Sequence, residues 1–190
     1  MKIGALVVLT LLIVGCGPTW VIVKQSRSNP MLGQRNFTVE PLSYQGLMVG
    51  DKTEDEYLDG KSEATISGFE VDKSESIDFF EARLKIGLKR IGVRTARGPG
   101  PGVFVIRPHV TDYEPGSFNG FFNLPTTVKM RVRFLAPQGK LLDEVDFSGV
   151  IAADLYHPSS GQRMRDALAN LGAQIGAYLK TRIAPDQDED

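Results

Sequence analysis

Val128-Lys-Met-Arg-Val-Arg-Phe134 alternates apolar and basic residues, and Pro137-Gln-Gly-Lys140 follows it. Strict alternation predicts a strand with one buried face, and a short stretch with Pro and Gly predicts a turn. The chain should therefore return as a second strand from Leu141 to Ile151, with Gln138 and Gly139 as the two turn residues.

This turn fixes which residues face each other across the hairpin. The predicted pairs are Val132 with Val145 and Met130 with Phe147 on one face, and Arg133 with Glu144 and Arg131 with Asp146 on the other. Because each arginine of the basic stripe should face a carboxylate, the stripe is explained by cross-strand pairing and does not indicate a nucleic-acid surface. A formal net charge of −1 agrees with that exclusion.

Two helices are predicted on either side of the hairpin. A stripe with spacings of three and four predicts a helix from Ser74, which Asp72 and Glu75 would cap and Gly92 would end; its members are Ile77, Phe80, Leu84, Leu88 and Ile91. A second helix is predicted between a cap at Ser159 and Pro185. It carries small residues on one face, which would allow close packing: Ala169, Gly172, Ala173, Gly176 and Ala177.

Two earlier strands complete the predicted sheet. Residues 37–44 and 103–110 have strand-like composition, and Pro41 and Pro108 predict edge or bulged positions for them. Gly50 to Asp72 is rich in charged and small residues and is predicted to be mostly loop. The expected fold class is α+β: a small mixed or antiparallel sheet packed by two helices, in the order β-α-β-β-β-α, after a signal peptide.

The N-terminus has the features of an export signal. Lys2 precedes an apolar run from Ile3 to Val14, and Gly15-Cys16 follows. This arrangement resembles a lipobox, although Ile13 stands where that family prefers Leu. The resemblance implies cleavage before Cys16 and acylation of its thiol and new amino group. Several acyl chains make a stable anchor, whereas one chain alone holds only marginally.

The lipobox divides the chain into four parts. They are a signal peptide (1–15), a lipidated tether (16–35), a single α+β domain (36–184) and an acidic disordered tail (185–190). Lipoproteins retained in the inner membrane tend to have Asp after the cysteine, so Gly17 favours the outer membrane, with the domain facing the periplasm.

An uncleaved transmembrane anchor is the alternative. Trp20-Val-Ile-Val23 prolongs the apolar stretch, and Ile3 to Val23 approaches the roughly 20 residues that a spanning helix needs. Gly15, Gly17 and Pro18 interrupt this run. Cys16 is the only cysteine, so no disulfide can form within the chain. No cofactor is expected beyond the covalent lipid on Cys16.

Two groups of residues are candidates for contacts outside the domain. Phe118, Phe121 and Phe122 lie in an aromatic, turn-rich segment that either binds a protein or lipid or folds back over the core. Lys85, Lys89 and Arg90 lie on the first helix, where they either form a solvated face or contact lipid phosphate or an acidic partner.

No catalytic set stands out. His109 and His157 lack a second histidine at metal-ligand spacing, so no metal site is predicted. The carboxylates that could perform acid and base chemistry on a glycan are Asp112 with Glu114, or Asp143 with Glu144 and Asp146. An envelope glycan hydrolase is therefore the alternative function, to be decided by whether two of these groups converge.

The order of elements resembles envelope lipoproteins with an N-terminal-TolB-like or ABC-transport-auxiliary domain. The Val128–Phe134 strand, the Gly139-Lys-Leu-Leu-Asp143 return and the helix from Arg163 to Ile183 carry this resemblance. It implies a non-enzymatic accessory or adaptor role in envelope assembly or transport, with an envelope protein as partner. It leaves the oligomeric state open.

Overall fold

The structure, a computed structural model, describes residues 20–119 and 123–185. Within these residues the strands are β1 (Trp20–Lys24), β2 (Asn36–Val39), β3 (Met48–Val49), β4 (Lys52–Thr53), β5 (Arg94–Thr95), β6 (Phe104–Glu114), β7 (Ser117–Phe118), β8 (Asn123–Leu124), β9 (Thr126–Leu135) and β10 (Leu141–Ile151). The helices are α1 (Glu54–Leu58), α2 (Glu63–Arg90) and α3 (Ser160–Ile183).

The main sheet is mixed and has the strand order β1-β10-β9-β6-β2-β5. Antiparallel pairs join β1, β10, β9 and β6, whereas β2 and β3 run parallel to β6. The helices α2 and α3 pack on one another, and α3 also contacts β9 and β10. The buried core includes residues from both layers, such as Ile106 and Val132 from the sheet and Leu84 and Leu168 from the helices. The predicted α+β class is confirmed.

The central hairpin has the predicted register. All four predicted pairs are present, including Arg131 opposite Asp146 and Arg133 opposite Glu144. The turn itself differs, because the Ala136 amide donates to the Lys140 carbonyl at 2.9 Å and Gly139 adopts a φ of +80°. The turn between Ala136 and Lys140 therefore contains three residues, 137–139, rather than the predicted two. A bulge on β10 between Leu141 and Asp143 then restores the predicted pairing.

The helix α2 begins earlier than predicted. Ser62 is its N-cap and accepts the Thr65 amide at 3.3 Å, so the prediction of a start at Ser74 with Asp72 and Glu75 as caps was wrong. The predicted loop before Asp72 was also largely wrong, since it contains β4, α1 and the first turns of α2. Only Phe69 is buried in that part of α2. With a single buried residue, the helical stripe that would reveal it is missing.

The predicted tether over 16–35 extends too far. Trp20–Lys24 pairs with β10, and the Trp20 ring lies 6.1 Å from Phe147 and 5.9 Å from Tyr178 between centroids. Met31 is fully buried. Residues 20–35 therefore belong to the folded domain. The preceding apolar run from Ile3 to Val14 obscured this strand in the sequence.

Pro108 lies inside the sheet, so the edge position was wrong; β6 does carry a bulge or irregularity, between Val110 and Asp112 rather than at Pro108 itself. It faces Val132 on β9, and its carbonyl accepts the Ser43 amide at 3.4 Å on the other side. That side falls between the segments where β2 and β3 pair with β6. The missing amide hydrogen of proline therefore falls where β6 has no regular partner strand, which makes an interior proline tolerable.

The last helix begins where predicted. The Ser159 hydroxyl accepts the Gln162 amide at 3.2 Å, while the Gln162 side chain bonds the Tyr156 carbonyl instead of completing a capping box. The small-residue face packs on α2, where a Cβ placed on Gly172 would lie 2.7 Å from the Phe80 carbonyl oxygen. Contacts of Arg165 with Asp72 and of Gly176 with Gly87 show that α2 and α3 run parallel.

Candidate functional site

Two connections, from β6 to β9 and from β10 to α3, lie at one end of the main sheet. Glu114 at the end of β6 pairs with Thr127, and Thr126 at the start of β9 pairs with Ile151 at the end of β10. Strand β1 runs antiparallel to β10, and its first residue, Trp20, pairs with Phe147. The start of β1 is therefore directed toward the same end. We call this the proximal end; it carries the β7–β8 ribbon and the connection from β10 to α3.

Arg163 holds these connections together. Its side chain is fully buried, and its Nε donates to the Thr126 hydroxyl at 2.7 Å. One terminal nitrogen donates to the His157 and Pro158 carbonyls, both at 2.8 Å, and the other to the Pro115 carbonyl at 3.0 Å. One guanidinium thus fixes both ends of the segment that contains the β7–β8 ribbon against the β10–α3 connection.

The β10–α3 connection contains a hydrogen-bonded turn at residues 154–157. The Asp154 carboxylate accepts the backbone amides of Tyr156 at 2.8 Å and His157 at 2.9 Å, and it contacts the His157 Nδ1 at 3.0 Å. Desolvation opposes these hydrogen bonds, but together they lower the pKa of Asp154 below its ordinary value. The turn presents Leu155 and Tyr156 outward, 83% and 84% exposed.

Further apolar side chains are exposed at the same end. Leu124 on β8 and Val150 near the end of β10 are both more than half exposed. The predicted aromatic segment is partly a β-ribbon rather than a loop, because Phe118 on β7 pairs with Asn123 on β8. Phe118 is half-buried. Phe121 and Phe122 lie outside the described residues, so the predicted three-residue patch stays a prediction.

The three basic candidates of α2 occupy different surroundings. Lys85 lines a cavity between α2 and β5 together with Glu81 and Arg97. Arg90 lines a groove between α2 and α3 that also contains Arg83 and Lys180. Lys89 is exposed between them. The structure therefore does not gather Lys85, Lys89 and Arg90 into one pocket, and it places them near the end of α2 that is remote from the proximal end.

Four of the five carboxylates considered for catalysis contact cations, on both faces of the sheet, whereas Glu114 is exposed at the end of β6. Asp146 binds Arg131 and Glu144 binds Arg133, both at 2.7 Å. Asp112 lies 4.0 Å from Lys129. Asp143 is fully buried on the core side, where it binds Arg182 at 2.7 Å. Asp143 therefore does not share a face with Glu144 and Asp146.

The two histidines have separate local partners. The His109 Nε2 lies 2.7 Å from the Gln45 carbonyl oxygen, and His157 contacts Asp154. In residues 20–119 and 123–185 no group of three or more His, Cys, Asp or Glu side chains could hold a metal ion.

A buried polar network around Asp143 was not predicted. Its carboxylate accepts the Tyr178 hydroxyl at 2.7 Å and the Ser26 amide at 3.0 Å, in addition to the Arg182 ion pair. Burial, followed by the hydrogen bond to Asp143, raises the pKa of Tyr178 above its ordinary value. The network connects the segment after β1 to β10 and α3. Strand alternation already placed Asp143 on the core face with Val145 and Phe147, so its burial could have been predicted, but not its partners.

Cys16 lies outside the described residues, and so do residues 186–190 of the predicted tail. The part of the chain that the structure describes has no helix with the length and apolarity needed to cross a membrane. Trp20–Val23, which the alternative anchor requires, lies in strand β1. The remaining apolar run, Ile3 to Val14, is well short of the roughly 20 residues needed for a span.

No family model matches the sequence, and no curated protein matches it. Several solved structures are similar. A minor lipoprotein from Acinetobacter baumannii is 19% identical, with 55% of this chain and 84% of that chain covered and a TM-score of 0.42. The PelC dodecamer from Paraburkholderia phytofirmans is 9% identical, with 83% and 97% covered and a TM-score of 0.42.

Protein XCC0632 from Xanthomonas campestris, of family DUF330, is 12% identical, with 87% of this chain and 95% of that chain covered and a TM-score of 0.48. The resemblance to N-terminal-TolB-like and ABC-transport-auxiliary lipoproteins remains a prediction from the sequence pattern.

Proposed function

We propose that this protein is a lipoprotein of the bacterial envelope, anchored through acyl chains on Cys16, whose domain serves as a non-enzymatic accessory or adaptor in envelope assembly or transport. The Gly17 that follows the cysteine favours the outer membrane, with the domain in the periplasm. The partner that this role implies is another envelope protein.

The position of strand β1, which comprises Trp20–Lys24, is the observation that carries this proposal. Only residues 17–19 separate Cys16 from β1. An extended chain covers at most about 3.6 Å per residue, so a lipid on Cys16 would hold the domain within about 15 Å of the bilayer. The strand also removes Trp20–Val23 from any spanning helix, which supports a lipid anchor over an uncleaved transmembrane one.

The state of the candidate acidic residues supports an accessory role. Glu144 and Asp146 form ion pairs with arginines of the neighbouring strand. Asp143 is buried and forms an ion pair with Arg182, in the network that joins β10 to α3. A general acid for glycan hydrolysis must lie in a cleft that admits the sugar, opposite a second carboxylate. None of these three carboxylates is placed in that way.

Metabolic labelling with an alkyne fatty acid tests the anchor. Wild type should incorporate the label, and Cys16→Ala should lose it, because no other cysteine is present to accept a diacylglyceryl group. Gly17→Asp is the matched control. It should keep the label but shift the protein from outer-membrane to inner-membrane fractions in a two-membrane bacterium. Retained label in Cys16→Ala would disprove the proposal.

A further inference from the structure

We propose that the proximal end is a bilayer-contact surface, in which Leu155 and Tyr156 insert into the lipid headgroup region beside the anchor. This inference rests on the proposed lipid anchor and adds the surface that faces the membrane. The occupant is the bilayer that holds the acyl chains of the same molecule.

The length of chain between the anchor and the domain supports this placement. Cys16 lies four residues before Trp20, and Ile151 lies four residues beyond Phe147, the partner of Trp20. At about 3.3 Å per residue in a strand, β10 extends about 13 Å past that pair. The segment from Cys16 to Trp20 can extend at most about 15 Å, which is about the same distance. A membrane that holds the lipid must therefore lie close to the end of β10 and the turn that follows.

The two side chains suit the headgroup region. Leu155 has no polar atom to satisfy, and Tyr156 combines an apolar ring with a hydroxyl that can remain in contact with water and headgroups. Tyrosine and tryptophan are enriched at membrane interfaces for this reason. Both residues are more than four-fifths exposed. Leu124 and Val150 extend the apolar surface at the same end.

The turn that carries them is held in place before any contact with lipid. Asp154 fixes the backbone of Tyr156 and His157, Gln162 donates to the Tyr156 carbonyl at 3.2 Å, and Arg163 holds the carbonyls of His157 and Pro158. The backbone of the turn therefore loses little conformational entropy when Leu155 and Tyr156 enter the bilayer. Ordering of the turn does not offset the favourable free energy of transferring the two side chains.

Depth-dependent quenching in vesicles tests the inference. The lipidated full chain carries no other cysteine, so Tyr156→Cys introduces a single free thiol for an environment-sensitive fluorophore. The labelled protein is reconstituted into phosphatidylcholine vesicles in which some lipids bear bromine near the top of the acyl chains. Lys140→Cys, exposed in the turn at the opposite end of the sheet, is the matched control.

The label at 156 should show blue-shifted emission and strong quenching, because interfacial groups sit roughly 5–10 Å into the headgroup and acyl boundary. The label at 140 should show neither. If the 156 label is no more quenched than the 140 label in protein whose acylation is confirmed by mass spectrometry, the inference is wrong and the anchor stands. If mass spectrometry finds no acyl chains on Cys16, the proposed function fails instead. Circular dichroism matching wild type shows that each labelled variant is folded.

A protein rather than lipid contact would be recognised in the same experiment. Protection of the 156 label from an aqueous quencher only in native membranes, and not in lipid vesicles, would assign the surface to an envelope partner and overturn the bilayer assignment.

Discussion

Arg163 is the residue on which the proximal end most depends. It is buried, and the hydrogen bonds described for its guanidinium go to three backbone carbonyls and the Thr126 hydroxyl. These acceptors come from three separate segments, at Pro115, at Thr126 and at His157 and Pro158. Removing the side chain would leave the His157 and Pro158 carbonyls and the Thr126 hydroxyl without this donor, while the Pro115 carbonyl keeps the Thr126 hydroxyl as a donor at 2.6 Å. A polar group left without a partner away from water costs about 1–3 kcal/mol.

Replacement of Arg163 by methionine should therefore lower the free energy of unfolding by about 3 kcal/mol or more, as measured by urea denaturation. Arg165→Gln on the same helix is the control. Arg165 forms ion pairs with Asp72 and Glu75 at a partly exposed site, so its loss should cost about 1 kcal/mol or less. Equal losses for the two variants would contradict the role assigned to Arg163.

The sequence predicts fewer of the individual side-chain contacts than of the helices and strands. Alternation placed Arg131 and Arg133 opposite Asp146 and Glu144, because both partners belong to one hairpin and the turn sets their register. Arg163 and Asp143 bind partners more than thirty residues away. Such contacts depend on how the helices lie on the sheet, which no local pattern specifies.

Among the elements, α2 and α3 owe their close packing to glycine. Gly172 and Gly176 of α3 face Phe80, Leu84 and Gly87 of α2. A Cβ on Gly176 would lie 3.1 Å from the Gly87 Cα, and one on Gly172 would lie 2.7 Å from a backbone oxygen. Backbone atoms cannot move aside as a flexible side chain can, so the two helices would have to separate.

Two glycine-to-alanine substitutions in these helices should have opposite effects. Gly172→Ala should destabilise the protein by about 1–3 kcal/mol through overpacking. Gly68→Ala in α2 meets nothing within 4 Å and should stabilise it by about 0.5–1 kcal/mol, since alanine favours a helix interior over glycine. The readout is the urea midpoint at constant m-value. A stabilising Gly172→Ala would show that the helices are not in close contact.

The elements that the sequence predicts well are those with complete periodicity. The hairpin and α3 bury one full face, so their alternation and stripe are uninterrupted. The first turns of α2 bury only Phe69. Strand β1 follows another apolar stretch, so the apolar pattern does not mark where the strand begins. The edge position predicted from Pro108 was wrong because Pro108 lies opposite the gap between β2 and β3. Where that gap falls depends on strands that are distant in the sequence.

At the scale of the whole molecule, the start of β1, which follows the proposed anchor, and the basic residues of α2 lie at opposite ends. Asp72 contacts the first turn of α3 at the proximal end, and Arg90 follows it by 18 positions on α2. At about 1.5 Å per residue this corresponds to about 27 Å. The Debye length at physiological ionic strength is about 8 Å. With the proximal end on the membrane, Lys85, Lys89 and Arg90 are too far from lipid phosphate to be attracted to it, which leaves a solvated face or an acidic partner for them.

This orientation predicts the effect of reversing the three charges. In the lipidated chain with a fluorophore at Tyr156→Cys, adding Lys85→Glu, Lys89→Glu and Arg90→Glu should leave quenching by brominated lipid unchanged. The result should hold at low and at moderate salt in vesicles that contain some phosphatidylglycerol, because the contact depends on apolar side chains and on an anchor at the other end. The same protein without the three reversals is the control. The contrary result would have two parts: the reversed variant loses quenching at low salt, and the protein with wild-type charges loses it as salt rises. Together they would mean that the basic helix holds the domain against anionic lipid, and the proposed orientation would be wrong.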